Sequence, residues 1–438
     1  MYLLYSLLYS IVLFFLVPFH YLKRPKELRE RWLREKFGFF DSSLITPQPP
    51  LLPFAKGGRR SESTRTEGII WIHAVSVGEV MAALPFVKRL RERYPSRGVI
   101  LSTITDTGQK VARGGAPEGT SIFYLPFDIT FVLKRALKRV TPEILVTIET
   151  ELWPNIFRVF KEYGVPIVLL NGRISENSFR GYKKISFFMK KVLSYVDLFC
   201  MQSEMDAARI KSLGVDKERI KVLGNFKFDT KPPSDIPEWA KRITGPVIIA
   251  GSTHEGEEEF MISVFRELKK DFPDLNLIIA PRHPERFKEV EELLRSKGNS
   301  LIKRSTFGTQ LAEPSTLKGE IILLDSVGEL SAIYGISNIA IIGKSFRGYG
   351  GQNPLEPAYW GKAIVCGPHM ENFPFIKDFY YEGAALEVSE EGLYLKLKEL
   401  LLLPEKTNVM GLKAKELYMR NAGAVEKAVE IVAGYIRE

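Results

Sequence analysis

Apolar residues fall along this chain in short unbroken runs separated by longer amphipathic stretches. The runs Ile69–Ile72, Val99–Thr103, Ile122–Leu125, Ile144–Ile148, Ile167–Leu170, Leu198–Met201 and Ile220–Leu223 do not alternate with polar residues. Strands read this way when helices cover both faces of a sheet. The stretches between them, among them Val80–Tyr94 and Asn155–Tyr163, carry apolar residues at helical spacing. After the linker signature Lys231-Pro-Pro-Ser-Asp-Ile-Pro237, within 231–245, the pattern restarts. Runs follow at Val247–Ala250, Leu275–Ala280, Ile321–Leu324, Ile339–Ile342 and Ala363–Cys366, then a charged helical stretch from Glu390. Strand–helix alternation repeated twice predicts an α/β protein with two Rossmann-like domains, 68–235 and 236–438, facing each other across a cleft. The terminal helices are candidates to pack back on the first domain.

The N-terminus breaks this pattern. Met1–Leu22 carries no charged residue and is rich in Leu, Tyr, Phe, Ile and Val. About 20 apolar residues are long enough to span a bilayer. No basic residue precedes the run and no small-residue cleavage site follows, so it does not read as a signal peptide. Lys23, Arg24, Lys26, Arg29, Arg31, Arg34 and Lys36 come next, offset only by Glu27, Glu30 and Glu35. That collar places the rest of the chain in the cytoplasm and faces anionic head groups. Ser6, Ser10 and Pro18 interrupt the run, so an interfacial helix rivals a spanning one; a buried N-terminal helix is the third reading. Residues 1–22 are thus expected to form a membrane anchor, and 23–67 a basic collar with a Pro/Ser-rich insertion at 42–67.

Composition narrows the function. With 45% hydrophobic and 26% charged residues, the chain can build ordinary globular cores. Its two cysteines, Cys200 and Cys366, sit in apolar runs, which argues against a disulfide framework. The net charge of +10 suits anionic lipid or a phosphorylated substrate. No nucleic-acid-binding module accompanies that charge, so nucleic acid is not an expected partner. The five histidines are scattered, and no metal site is expected.

The candidate chemistry sits where strands end. Glu79, after Ser76-Val-Gly78, stands at a helix start, placed either as a general base or as a complement to the helix dipole. Glu149-Thr-Glu-Leu-Trp-Pro154 follows a strand end, where ligands bind in open α/β sheets; helix capping ahead of Pro154 is the alternative. Lys227 could neutralise a phosphate or carboxylate. Ser252 or Thr253 could cap the next helix and leave backbone N–H groups for an anion. Arg282 and His283 lie between Pro281 and Pro284, which hold them in a fixed turn suited to phosphate. Asn353, Pro354, Leu355 and Glu356 supply a helix start of their own: Asn at the N-cap, Pro at N1, Glu at N3. The preceding Gly348, Gly350 and Gly351 let a nucleotide approach the backbone. No GxSxG elbow, kinase signature or Walker ending is present.

Taken in order, the apolar N-terminal run, His73-Ala-Val-Ser-Val-Gly-Glu79, Glu149-Thr-Glu-Leu-Trp-Pro154, Gly224-Asn-Phe-Lys-Phe-Asp229, Ser252-Thr-His-Glu-Gly-Glu257, Pro281-Arg-His-Pro-Glu-Arg-Phe287 and Asn353-Pro-Leu-Glu-Pro357 resemble the bacterial 3-deoxy-D-manno-octulosonic acid (Kdo) transferases. The resemblance covers nearly the whole chain outside 42–67. It implies a GT-B fold and inverting, metal-independent transfer of Kdo from CMP-Kdo to the lipid A precursor. The expected place is the cytoplasmic face of the inner membrane. It further implies Glu79 as proton acceptor, Glu149 and Lys227 as transition-state stabilisers, and Arg282, His283, Val327, Gly328, Glu329, Asn353, Pro354, Leu355 and Glu356 as CMP contacts. Lys344 and Gln352 stand where the family more often has Gly and His. A GT-B enzyme for another nucleotide sugar, or a silent membrane-anchored nucleotide-sugar binding protein, are the competing expectations.

Overall fold

The computed structural model describes residues 2–40, 68–229, 235–298, 300–307 and 316–436. The insertion at 42–67 and the start of the linker, 231–234, lie outside the described residues. The chain divides into two compact units: Met1–Thr230 together with Ala422–Glu438, and Lys231–Asn421.

In the first unit seven strands pair in parallel: β1 (Ile69–His73), β2 (Gly98–Thr103), β3 (Thr120–Tyr124), β4 (Ile144–Ile148), β5 (Ile167–Gly172), β6 (Leu198–Met201) and β7 (Ile220–Val222). Their order is β3-β2-β1-β4-β5-β6-β7. All seven are runs read from the hydrophobic pattern. The runs are unbroken because each face needs its own apolar set. Ile69 and Trp71 of β1 pack on one side with Phe157, Phe160 and Val192. Ile70 and Ile72 point to the other, into Val80, Phe86, Val87 and Leu90.

That second cluster also holds Ala424, Val425, Ala428, Val429 and Val432 from the helix Ala424–Ala433. Asp229 fixes its start by accepting hydrogen bonds from the Gly423 and Val425 amides. The boundary of 236–438 for the second domain therefore needs correcting. The last helix belongs to the first unit, because its apolar stripe completes a core there.

The second unit repeats the architecture with β8 (Val247–Thr253), β9 (Asn276–Pro281), β10 (Leu301–Lys303), β11 (Ile321–Leu323), β12 (Ile339–Ile342), β13 (Ala363–Cys366) and β14 (Ala385–Glu387), in the order β10-β11-β9-β8-β12-β13-β14. Five of these follow the sequence pattern. The two edge strands, β10 and β14, do not: each has three residues and is only partly buried, so it carries no unbroken apolar run. Cys200 and Cys366 are buried in β6 and β13.

Two helices precede the first sheet, α1 (Tyr2–Lys23) and α2 (Lys26–Lys36). α1 is long and apolar enough to cross a membrane, and none of its described side chains is fully buried, which removes the buried-helix reading. α2 does pack inward: Trp32, Glu35 and Lys36 are buried, and Glu35 accepts a 2.7 Å bond from the Tyr124 amide at the end of β3.

Candidate active site

Strand order locates the place where each sheet can hold a ligand. In the first unit the chain builds outward from β1 to β3, then returns to build from β4 to β7, so the order reverses between β1 and β4. In the second unit the reversal lies between β8 and β12. The loops beyond the carboxyl ends of those strands diverge there and leave a crevice. Left-handed backbone concentrates at the same places. Of the described non-glycine residues with clearly positive φ, Glu149, Asn171, Ser252 and Lys344 lie at or just beyond the carboxyl ends of β4, β5, β8 and β12; the fifth, Thr141, ends a helix. Each such residue stores roughly 1–3 kcal/mol, a cost that functional loops tolerate.

In the first unit, β1 delivers the chain to Ser76, the N-cap of α3 (Val77–Arg93). Glu79 sits in the first turn of α3. The Val75 amide donates to its Oε2 at 2.6 Å and the Ser76 hydroxyl to its Oε1 at 3.0 Å. Both anticipated roles therefore meet in one side chain: Glu79 caps its own helix, and the cap fixes where its carboxylate points. Burial raises its pKa, the Val75 bond opposes the rise, and the charge of Glu149 adds to it.

Glu149 follows β4, with φ 59°. Its amide donates to Leu170 O at 2.9 Å, so the ladder runs up to the residue that carries the carboxylate. Burial raises this carboxyl too, against the charges of Lys227 and Arg173. Glu151 is pushed up to about 7, by burial and then by the charge of Glu79, while Trp153 Nε1 donates to it at 2.9 Å. Lys227 lies in the short turn Phe226–Asp229. Asn171 and Asn225 hold that turn, accepting from the Phe226 amide at 3.1 Å and the Lys227 amide at 3.0 Å. Burial lowers the Lys227 pKa, Glu149 restores part of it, and Arg173 lowers it further. Glu79, Glu149 and Lys227 thus come together, as their motifs imply. They are joined by Glu151, the second carboxylate of its motif, and by Arg173, which the motif reading passed over. The signal for Arg173 was its position, one residue past β5 after the Asn171-Gly172 bend.

In the second unit the loops after β8, β9, β11 and β12 form the corresponding set. Arg282 and His283 follow β9 and are exposed; the Arg282 amide donates to Thr253 O at 3.0 Å, tying the turn to β8. The His283 ring meets the His254 ring edge-on, centroids 5.3 Å apart. Asn353 Oδ1 accepts from the Leu355 amide at 3.1 Å, and Pro354 and Leu355 are buried. The helix there is Leu355–Tyr359, so it starts one residue later than Asn353-Pro354 suggested. Burial raises the Glu356 carboxyl, with Asn353 and the charge of Arg282 opposing, which puts Arg282 and Glu356 in one neighbourhood. Val327 and Gly328 are exposed. Glu329 is held between them and Arg304, whose Nε and Nη2 donate at 2.8 and 2.9 Å; Trp239 and Ser326 donate as well. With its oxygens so occupied, Glu329 fixes the turn, and the open surface is that of Val327 and Gly328.

One expectation fails. Neither Ser252 nor Thr253 caps the next helix, which begins at Glu257 after Gly256 without a side-chain cap. Three glutamates fill its first turn, so it offers no anion site. Glu257 instead organises the loop after β12. Fully buried, it accepts from the His254 amide (3.0 Å) and from the amides of Lys344 (2.7 Å), Phe346 (3.1 Å) and Arg347 (3.4 Å). Gly343 lets that loop lie against Ser252, whose carbonyl oxygen would collide with any Cβ there. Among the described residues no group of three His, Cys, Asp or Glu is arranged to hold a metal ion.

Comparison with known proteins bears on the family and the fold. The 3-deoxy-D-manno-octulosonic-acid transferase (kdotransferase) family model matches residues 31–230. The 3-deoxy-D-manno-octulosonic acid transferase of Haemophilus influenzae is 34% identical, covering 94% of this chain and 93% of that protein. The enzyme of the same name from Aquifex aeolicus is 32% identical, over 78% of this chain and 89% of that protein. A solved glycosyltransferase from Rickettsia africae superposes with a TM-score of 0.54 at 14% identity, covering 85% of this chain and 99% of that one, and shares the fold. Two parallel seven-stranded units of this kind are the GT-B architecture. On motif order, fold and identity along nearly its whole length, the chain belongs to the Kdo transferase family of glycosyltransferases.

Proposed function

We propose that this Kdo transferase moves Kdo from CMP-Kdo to a lipid A precursor with inversion, without a metal, at the cytoplasmic face of the inner membrane. The observation that carries the reading is the cluster Glu79, Glu149, Glu151, Lys227 and Arg173 at the strand ends of the first unit. In the reaction the acceptor's sugar oxygen bonds to the anomeric carbon of Kdo as the bond from that carbon to the CMP phosphate oxygen breaks. The acceptor proton passes to the carboxylate of Glu79, whose raised pKa makes it the stronger base. Positive charge develops on the anomeric carbon, and Glu149 offsets it. Lys227 balances the anionic sugar carboxylate. CMP departs as a phosphate anion. Arg282, His283, the Val327-Gly328-Glu329 turn and Asn353–Glu356 are its proposed seat in the second unit.

The test is incubation of the full chain with CMP-Kdo and tetra-acylated lipid A precursor without added metal, products read by mass spectrometry. A gain of one or more Kdo units is expected. Glu79→Gln should lose about 10²–10⁴ in turnover while CMP binding persists. Wild-type turnover in that variant would remove Glu79 as the base, and no mass gain beside an active control enzyme would point to a different donor.

A further inference from the structure

α1 has two unlike faces. Tyr2, Tyr5, Ser6, Tyr9, Leu13, Val17 and Tyr21 are half-buried, a spacing of three and four that marks one stripe of a helix. That stripe is docked on the first unit along its length. The Tyr5 hydroxyl donates to Asp128 Oδ2 at 2.7 Å, and Asn155 Nδ2 donates to Ser6 Oγ at 3.0 Å. Tyr9, Leu13, Val17 and Tyr21 pack beside Trp32, Tyr124 and Phe127. Just past the helix, Arg24 Nε donates to Asp106 Oδ1 at 2.9 Å and its guanidinium covers Trp32.

Residues 5 and 24 stand roughly 28 Å apart along a helix rising 1.5 Å per residue, nearly the thickness of a bilayer's hydrocarbon core. Both ends are fixed to one folded unit. A spanning α1 would drag Asp128, Asn155 and Asp106 into lipid or break those bonds. The opposite face, with Leu4, Leu8, Ile11, Phe15, Phe19 and Leu22, is exposed. Beside the docking residues Phe188 and Ile129, which touch α1 or its cluster, stand exposed Phe187, Ile185 and Phe131. Exposed Lys183, Lys184 and Lys190 accompany them. Apolar side chains interleaved with lysines match acyl chains beneath anionic head groups.

We propose that α1 lies in the plane of an anionic lipid surface, its apolar face in the acyl chains and its tyrosine face on the protein, and does not cross the bilayer. The proposal is independent of which sugar is transferred.

Four variants of the full chain, Leu4→Cys, Ile11→Cys, Phe15→Cys and Leu22→Cys, each carrying a fluorophore, test it. Cys200 and Cys366 are buried and stay silent. The protein is added to vesicles of equal parts phosphatidylcholine and phosphatidylglycerol, and depth is read with lipids brominated at different carbons. All four labels should report one shallow depth, about 5–10 Å below the head groups. A depth sweeping from one leaflet through the midplane to the other would overturn the proposal. So would labels left in water, or labels shielded by a second copy of the chain before any lipid is added.

Discussion

Glu79 is placed by the bonds of its own cap and tuned by its neighbours. Burial and the charge of Glu149 raise its carboxyl, and burial with the charge of Glu79 pushes Glu151 up to about 7. A base must be ionised to act, so a raised pKa moves the acid limb of the rate profile upward. We expect the acid limb of kcat/KM to lie above the usual carboxylate range. In Glu149→Gln, with the charge that raises Glu79 gone, the limb of the residual activity should move down; a limb that stays put would remove Glu149 as the neighbour that tunes the base. Glu149 offers a second residue-scale test. Replacing it by Gly relieves a left-handed φ, so the Tm should rise by the equivalent of about 1 kcal/mol while turnover drops at least ~100-fold. Concerted loss of both would make its role structural. Position at strand ends marked Glu79 and Glu149 in the sequence, and the family resemblance added Lys227, which alone reads as a surface charge. Neither exposed Arg173 or the dominance of burial in the pKa shifts, which depend on which strand ends become neighbours.

At the scale of elements, the strands were legible wherever both faces are covered, as in β4 and β12, and illegible at the edges, as in β10 and β14. Helix starts were less legible. Ser252 and Thr253 have the chemistry of caps, but β8 runs through Thr253, and its hydroxyl donates to buried Glu258 at 2.8 Å instead. The loop after β12 depends on Glu257 rather than on its own glycines alone. Glu257→Ala leaves the buried Phe346 amide and the part-buried His254, Lys344 and Arg347 amides without this acceptor, at up to about 1–3 kcal/mol each. We expect a stability loss of about 3 kcal/mol or more in chemical denaturation, together with weakened CMP binding by calorimetry. Intact CMP affinity would show that the loop is not part of the donor seat.

For the whole molecule, periodicity gave two α/β halves and marked the terminal helices as candidates to pack back on the first; of these the last, Ala424–Ala433, does so, which moves it out of the second domain. Its assignment rests on tertiary complementarity with Val80, Phe86 and Val87, and on Asp229. Asp229→Ala should cost about 1–2 kcal/mol, as the loss of a helix cap does, and should speed hydrogen exchange in both Ala424–Ala433 and α3. Exchange confined to the last helix would mean that the first unit stands without it.

The return of Ala424–Ala433 also sets an order of events during synthesis. Residues 1–230 leave the ribosome first, yet one layer of their core arrives only after the whole second unit has been made. At roughly 5–20 residues per second that wait is on the order of ten seconds or more. Throughout it, the faces of Val80, Phe86 and Val87 lack their final cover, and the nascent first unit is a natural client for chaperones.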